Sequence, residues 1–203
     1  YTDEMANVVD QVGMRAVLNE AIIDFPAPNS PSPKDGLAFA EGLIRQWKDH
    51  PLVTIGVGAH APYTVAPHLL QESRALADAC GVPWNIHVAE TRWEFDKILK
   101  EYGRTPVGHL HNLGVLGPKM VAAHCVHLTP EDIQLMGAHK VGVAHNPQCN
   151  MKLANGVAPI PQLMKAGAVV GIGTDGVASN NDLDMFDEMR TAALSHKLSA
   201  LDP

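Results

Sequence analysis

Short apolar runs that stop on an imidazole or a carboxylate recur through this chain, and they limit its fold more than any other feature. The clearest covers 168–180, where Ala168-Val169-Val170-Gly171-Ile172 leads through glycine-flanked residues to Asp175. A run this short, bounded by Gly and Asn/Ser signals, reads as a strand buried on both faces, as in a parallel sheet. Further strands read over 15–23, 52–60, 83–90, 119–124 and 141–145; the last four of these end at His60, His87 with Glu90 three residues on, His124 and His145.

Helical patterns separate the strands. One runs from the first residue to about 11 and is closed by Gly13. Another covers 34–49, with Leu37, Ala40, Ile44 and Trp47 on one apolar face. Others cover 67–79, 92–101, 161–165 and 184–197. The helix over 129–137 has a Thr129 cap, Pro130 in its first turn, and Glu131 and Asp132 against the dipole. The prolines of 25–33 predict a loop over a site or interface, and 146–157 reads as a second loop. The segment 109–118 is open between helix and loop. Strict alternation of strand and helix gives an α/β fold with a parallel sheet. Six strands in 203 residues fit part of a (β/α)8 barrel, since a complete one needs about 250 residues. The expected organisation is one partial barrel over 1–203, cut at both ends, with exposed edges that favour a homo-oligomer.

The net charge, 15 − 22 = −7, and the lack of any Lys/Arg cluster argue against nucleic acid or an anionic membrane as partner. No apolar run approaches the ~20 residues of a membrane span, and no signal peptide is visible. Cys80, Cys125 and Cys149 are odd in number and widely spaced, which predicts no disulfide framework and a reducing cytoplasm.

In a barrel the carboxyl ends of all strands converge on one mouth, so residues 115 positions apart, from 60 to 175, can meet there. Imidazole and carboxylate suit zinc, and a catalytic zinc keeps a position open for water. A single strand-end histidine is more often structural; the repetition at one phase of successive strands is what points to a metal. For His145, ahead of Asn146-Pro147, a structural or substrate-orienting role leads over ligation. His50, His68, His109, His111, His127, His139 and His196 read as ordinary surface or packing residues. Cys125, Met120, Met136 and Met164 read as buried fillers. Asn180, Asn181, Asp182 and Asp184 read as caps of the last helix, and they lack the Gly and terminal Glu of a Ca²⁺ loop.

His60-Ala-Pro-Tyr-Thr, Ile86-His87-Val88-Ala89-Glu90-Thr91, Ala123-His124-Cys125-Val126-His127, the 145–153 stretch His-Asn-Pro-Gln-Cys-Asn-Met-Lys-Leu, and Gly173-Thr174-Asp175-Gly176 fall in the order of the amidohydrolase superfamily. The chain resembles its 5-methylthioadenosine/S-adenosylhomocysteine deaminases, within the group that also holds chlorohydrolases and guanine deaminases. The resemblance implies a zinc-dependent barrel enzyme, present here as about strands 3 to 8, with one Zn²⁺ per subunit and a purine nucleoside substrate. It implies that His87 and Asp175 ligate the metal, and that His124 holds the metal-bound water or substrate. It also makes Glu90 the proton shuttle at the purine ring and His60 a substrate-binding residue, with Glu90, His124 and Asp175 catalytic. The family's His-x-His pair has no counterpart before His60, and His109-Leu110-His111 cannot replace it. Another aminopurine deaminase, a triazine-type chlorohydrolase, a catalytically incomplete metal-binding fragment and a metal-free binding protein are the alternatives.

Overall fold

The computed structural model describes residues 1–27 and 30–201; Pro28 and Asn29 of the proline-rich stretch, and Asp202 and Pro203, lie outside the described residues. The chain divides into two compact units, Tyr1–Ile86 and His87–Pro203.

The first unit holds α1 Thr2–Val12, β1 Ala16–Ile22, α2 Pro33–Gln46, β2 Val53–Ala59, α3 Pro67–Cys80 and the start of β3 Trp84–Val88. Gly13 ends α1 in the left-handed conformation, φ 73°, which costs a glycine little. Ser32 caps α2 by accepting from the Asp35 N–H, one residue ahead of Pro33. β1 and β2 pair in parallel from Ala16↔Val53 to Ile22↔Ala59, and β2 continues to β3 at Val57↔Trp84 and Gly58↔Asn85. Gly56 is required at that step, because a Cβ there would fall 2.7 Å from the Pro83 carbonyl oxygen. Ile22, Val57, Leu70 and Trp84 fill the core of this unit. The buried Trp84 indole N–H donates to Ser73 Oγ at 3.0 Å, so the polar end of the ring is answered.

The second unit begins at the end of β3 and continues through α4 Arg92–Tyr102, α5 Pro106–Asn112, β4 Met120–His124, α6 Pro130–Ala138, β5 Gly142–His145, α7 Pro147–Lys152, α8 Ile160–Ala166, β6 Val169–Ile172, α9 Val177–Asn180 and α10 Met185–Ala200. β4, β5 and β6 are parallel neighbours. Thr91, Thr105 and Thr129 start α4, α5 and α6, their hydroxyls accepting from the third N–H onward; Asp132 returns the bond to the Thr129 N–H and completes a capping box. Asp184 caps α10 by accepting from the Phe186 and Asp187 N–H groups, as its place in the sequence suggested. Ile98, Leu110, Met120, Met136 and Leu163 are fully buried in this unit.

Three expectations are corrected. The 146–157 loop contains α7, because Pro147 occupies the first helical turn, where its missing N–H costs nothing. The strand at 169–172 is not buried on both faces: β6 pairs with β5 and stands last in the strand order, leaving Val169 67% exposed. Met164 is exposed as well, since one step along α8 turns it away from its buried neighbour Leu163. The undivided 109–118 segment resolves into the end of α5 and a turn.

α6 and α8 approach so closely at Gly137 that a Cβ there would collide with the Ala166 carbonyl group. Gly137→Ala is therefore expected to lower unfolding stability by about 1–3 kcal/mol despite alanine's better helix propensity. Urea unfolding followed by circular dichroism measures this, and an unchanged or raised midpoint contradicts the packing argument.

Candidate functional site

Within the second unit the ends of β3 and β4 are tied side by side by backbone hydrogen bonds. The Cys125 N–H donates to the Val88 carbonyl, and the Val126 and His127 N–H groups donate to Ala89, at 2.9–3.0 Å. To leave the strands so sharply, Ala89, His124 and Cys125 adopt left-handed backbone, with φ of 52°, 70° and 53°, and Asp175 beyond β6 does the same at 62°. Such residues with a Cβ cost roughly 1–2 kcal/mol each, a strain that concentrates where side chains must be aimed.

A buried acid holds this turn from below. Glu94, in the first turn of α4, accepts from the Ala89 N–H at 2.8 Å and the Glu90 N–H at 2.9 Å. Burial raises its pKa to about 7, against the pull of those backbone donors. The Glu90 side chain is thereby directed toward His124, with Oε2 3.8 Å from Nε2, while Oε1 accepts from Asn155 Nδ2 at 3.1 Å.

His124 is buried, with Nδ1 3.0 Å from Asn150 Oδ1 and Nε2 on the side of Glu90. The His87 ring stacks on it with centroids 5.6 Å apart. Across from them, the buried Cys149 thiol on α7 donates to Asp175 Oδ2 at 2.8 Å. Donor atoms of Glu90, His124 and Cys149 all lie within 4.8 Å of one another. Burial raises the Asp175 carboxyl, but donors from Cys149, Gly176 and Ser179, with the His124 imidazole near, outweigh it and hold the acid below its ordinary value. The Cys149 thiol is pushed up to about 12 by burial and by its bond to Asp175, so it stays protonated. Lys152, at the end of α7, donates to the Ala178 carbonyl at 2.8 Å and to Asn181 Oδ1 at 2.6 Å, tying α7 to the segment after Asp175.

The remaining sequence candidates have partners of their own. His145 ends β5 buried, with Nε2 3.1 Å from Nε2 of His196 on α10. Burial, then the charges of His196 and His124, push His145 down to about 4, so the pair is neutral and shares one hydrogen bond. That arrangement suits packing, and it places His196 among the packing residues. His60 follows β2 in the first unit, Nδ1 2.6 Å from Thr64 Oγ1 and its ring edge-on to Tyr63. On α5, His109 stacks on Tyr102 and His111 lies edge-on to His139.

Sequence reading passed over Cys149, Asn155 and Glu94. The signal for Cys149 was Asn146-Pro147, a helix start directly after a strand end, which sets the third helical residue over the sheet. Glu94 was marked by standing three residues after the Thr91 cap, where an acid can bond back to the turn.

The sequence profile of the amidohydrolase family matches residues 1–203. The 5-methylthioadenosine/S-adenosylhomocysteine deaminase of Syntrophobacter fumaroxidans is 47% identical over 203 residues, covering 100% of this chain and 46% of that protein. The protein of the same name from Desulfitobacterium hafniense strain Y51 is 48% identical, over 97% of this chain and 45% of its own length. The crystal structure of an adenosine deaminase from Xanthomonas campestris with bound zinc superposes with a TM-score of 0.97 at 40% identity, covering 100% of this chain and 46% of that one. The six parallel strands and their helices are thus a partial (β/α)8 barrel, and the chain spans under half the length of these relatives. No helix among the described residues is long and apolar enough to cross a membrane.

Two buried groups give stability opposite dependences on pH. Below its ordinary value of 6.5 the unfolded His145 takes up a proton that the folded residue refuses, so its contribution is full above 6.5 and is lost as pH falls toward 4. Glu94 keeps its proton up to about 7 when folded, so stability declines as pH rises from 4.5 to 7. Chemical unfolding across pH 4–8 is expected to show a shallower acid-side loss in His145→Gln, while Glu94→Gln loses the decline toward neutrality. Slopes identical to the parent in both variants contradict these assignments.

Proposed function

The chain belongs to the amidohydrolase family, and on that premise we propose that the protein is a zinc-dependent hydrolytic deaminase of an adenosine thioether of the 5-methylthioadenosine or S-adenosylhomocysteine type. The observation that carries this reading is a chain of contacts from three strand ends of the second unit: His87 stacks on His124, Glu90 faces His124, and Cys149, close to both Glu90 and His124, bonds Asp175. Relatives of that name at 42–48% identity support the substrate class.

The residues fit a zinc ion. Asp175 is held in its charged form by three donors, and His87 stacks on His124 at the neighbouring strand end, so an oxygen and a nitrogen donor of the kinds zinc takes are present. His87 and Asp175 would hold the metal. The lengths of the relatives leave room for a His-x-His pair outside the matched stretch. A bound zinc lowers the pKa of its water to roughly 7, which supplies a nucleophile at neutral pH.

This chain's own side chains divide the proton work. Glu90 delivers a proton to the ring nitrogen next to the carbon under attack, and Asn155 holds one of its oxygens so that the other faces the reaction. Asp175 receives the proton of the attacking water. His124, fixed through Nδ1 by Asn150, steadies the tetrahedral centre before ammonia leaves. His60 contributes to substrate binding. Water enters, the C–N bond to the exocyclic amine breaks, and the products are ammonia and the 6-oxopurine. The partner is a small purine nucleoside, with neither nucleic acid nor membrane involved; the net charge of −7 supports that. The unpaired Cys80, Cys125 and Cys149 favour a cytoplasmic site of action.

Glu90→Gln in the complete protein is expected to reduce ammonia release from 5-methylthioadenosine by about 10²–10⁴-fold, the usual worth of a positioned general acid, with zinc content retained. His87→Asn or Asp175→Asn is expected to lower the zinc stoichiometry itself. Turnover of Glu90→Gln within a few-fold of the parent removes Glu90 from the mechanism, and failure of every aminopurine to release ammonia removes the deaminase reading.

A further inference from the structure

We propose that the outward face of α10 is an interface between two copies of this chain, their helices packed antiparallel about a twofold axis at the level of Ala192. The proposal does not depend on the deaminase reading, because it uses none of the residues at the strand ends.

α10 turns Glu188 and Ala192 into the second unit, where both are buried. At about 100° per residue, Phe186, Asp187, Arg190, Leu194, Lys197 and Leu198 share an arc of about 120° on the opposite side. Phe186 is 78% exposed, Leu194 62% and Leu198 76%. Beside them runs a groove of about 450 Å³, bordered by Met151, Val157, Leu194 and Leu198. Apolar residues scattered singly over a surface need no explanation, but a stripe of them along an apolar groove marks a docking surface.

The charges on the arc select the occupant. Asp187 and Arg190 pair with each other at 3.1 Å, and Lys197 stands two turns further on. A purely apolar ligand laid over this face would cover Lys197 without giving it a partner, which is costly. A second α10 running the other way supplies one. With the twofold at position 192, each residue meets the partner residue that lies as far beyond that position as it lies before it. Asp187 then faces the partner's Lys197, Phe186 packs on the partner's Leu198 at the mouth of the groove, and the Arg190 stem covers the partner's Leu194. The symmetry makes every contact twice. The acidic first half of each helix, with Asp184 and Asp187, lies against the basic end of the other, and the two helix dipoles oppose. The register thus satisfies the apolar and the charged residues together, and it needs only the surface this chain already carries.

The test is sedimentation equilibrium of this chain over a dilution series, in reducing buffer so that the exposed Cys80 forms no cross-link. The expected result is a monomer–dimer equilibrium that Leu198→Asp weakens by about tenfold or more. Asp187→Lys and Lys197→Glu each weaken it alone, since like charges then face each other across the axis. An equimolar mixture of those two variants associates again, because each chain presents the charge that the other lacks. The mixing measurement decides the matter if Leu198→Asp fails to fold by circular dichroism. The proposal is overturned if the chain is monomeric throughout the series, if folded Leu198→Asp pairs as tightly as the parent, or if the mixture stays monomeric. It is also overturned if the complete protein is a monomer while this chain pairs, the face then being covered by the protein's own remaining length.

Discussion

Sharp backbone bends at three strand exits decide where the polar side chains at the ends of β3, β4 and β6 point. Each parallel strand must stop abruptly to let its terminal side chain face the rim, and Ala89, His124, Cys125 and Asp175 do so in left-handed backbone that their Cβ atoms disfavour. The bends persist because they are bonded on both sides. Three N–H groups after β4 hold the carbonyls at the end of β3, and the Glu94 carboxylate takes the N–H groups of the same turn. Without these bonds Glu90 would have no fixed direction.

The same packing gathers negative charge. The Glu90 charge adds to the burial that raises Glu94, and Asp175 and Glu90 both help keep the Cys149 thiol protonated. Neutralisation by hydrogen bonds is one answer, visible in the three donors on Asp175. A cation is the stronger one, since buried carboxylates without a partner are costly. The metal dependence proposed here follows from that electrostatic need.

The strands were legible because each is a four- to seven-residue apolar run with a polar stop, and the phase of His87, His124 and Asp175 followed from it directly. Helix starts at Thr91, Thr105 and Thr129 were equally open to reading, because capping is local chemistry. What escaped was non-local or depended on neighbours. Cys149 meets Asp175 across 26 residues and His196 meets His145 across 51, separations with no periodic trace. β6 looked buried because Val, Val and Ile report only that a strand is apolar, and the number of its neighbours is a tertiary fact. The stretch from Asn146 to Val157 reads as a loop because a proline in the first turn of α7 looks the same in sequence as one that ends an element.

Lys152 gives α7 a second fastening. The helix meets the β6 exit at two points: the Cys149 sulfur on Asp175, and, three residues later, the ammonium on the Ala178 carbonyl and Asn181. Two attachments on one short rod remove its freedom to pivot. A ligand that drew the Asp175 carboxylate toward itself would therefore tow the whole helix, and the position of α7 would register occupancy of the rim.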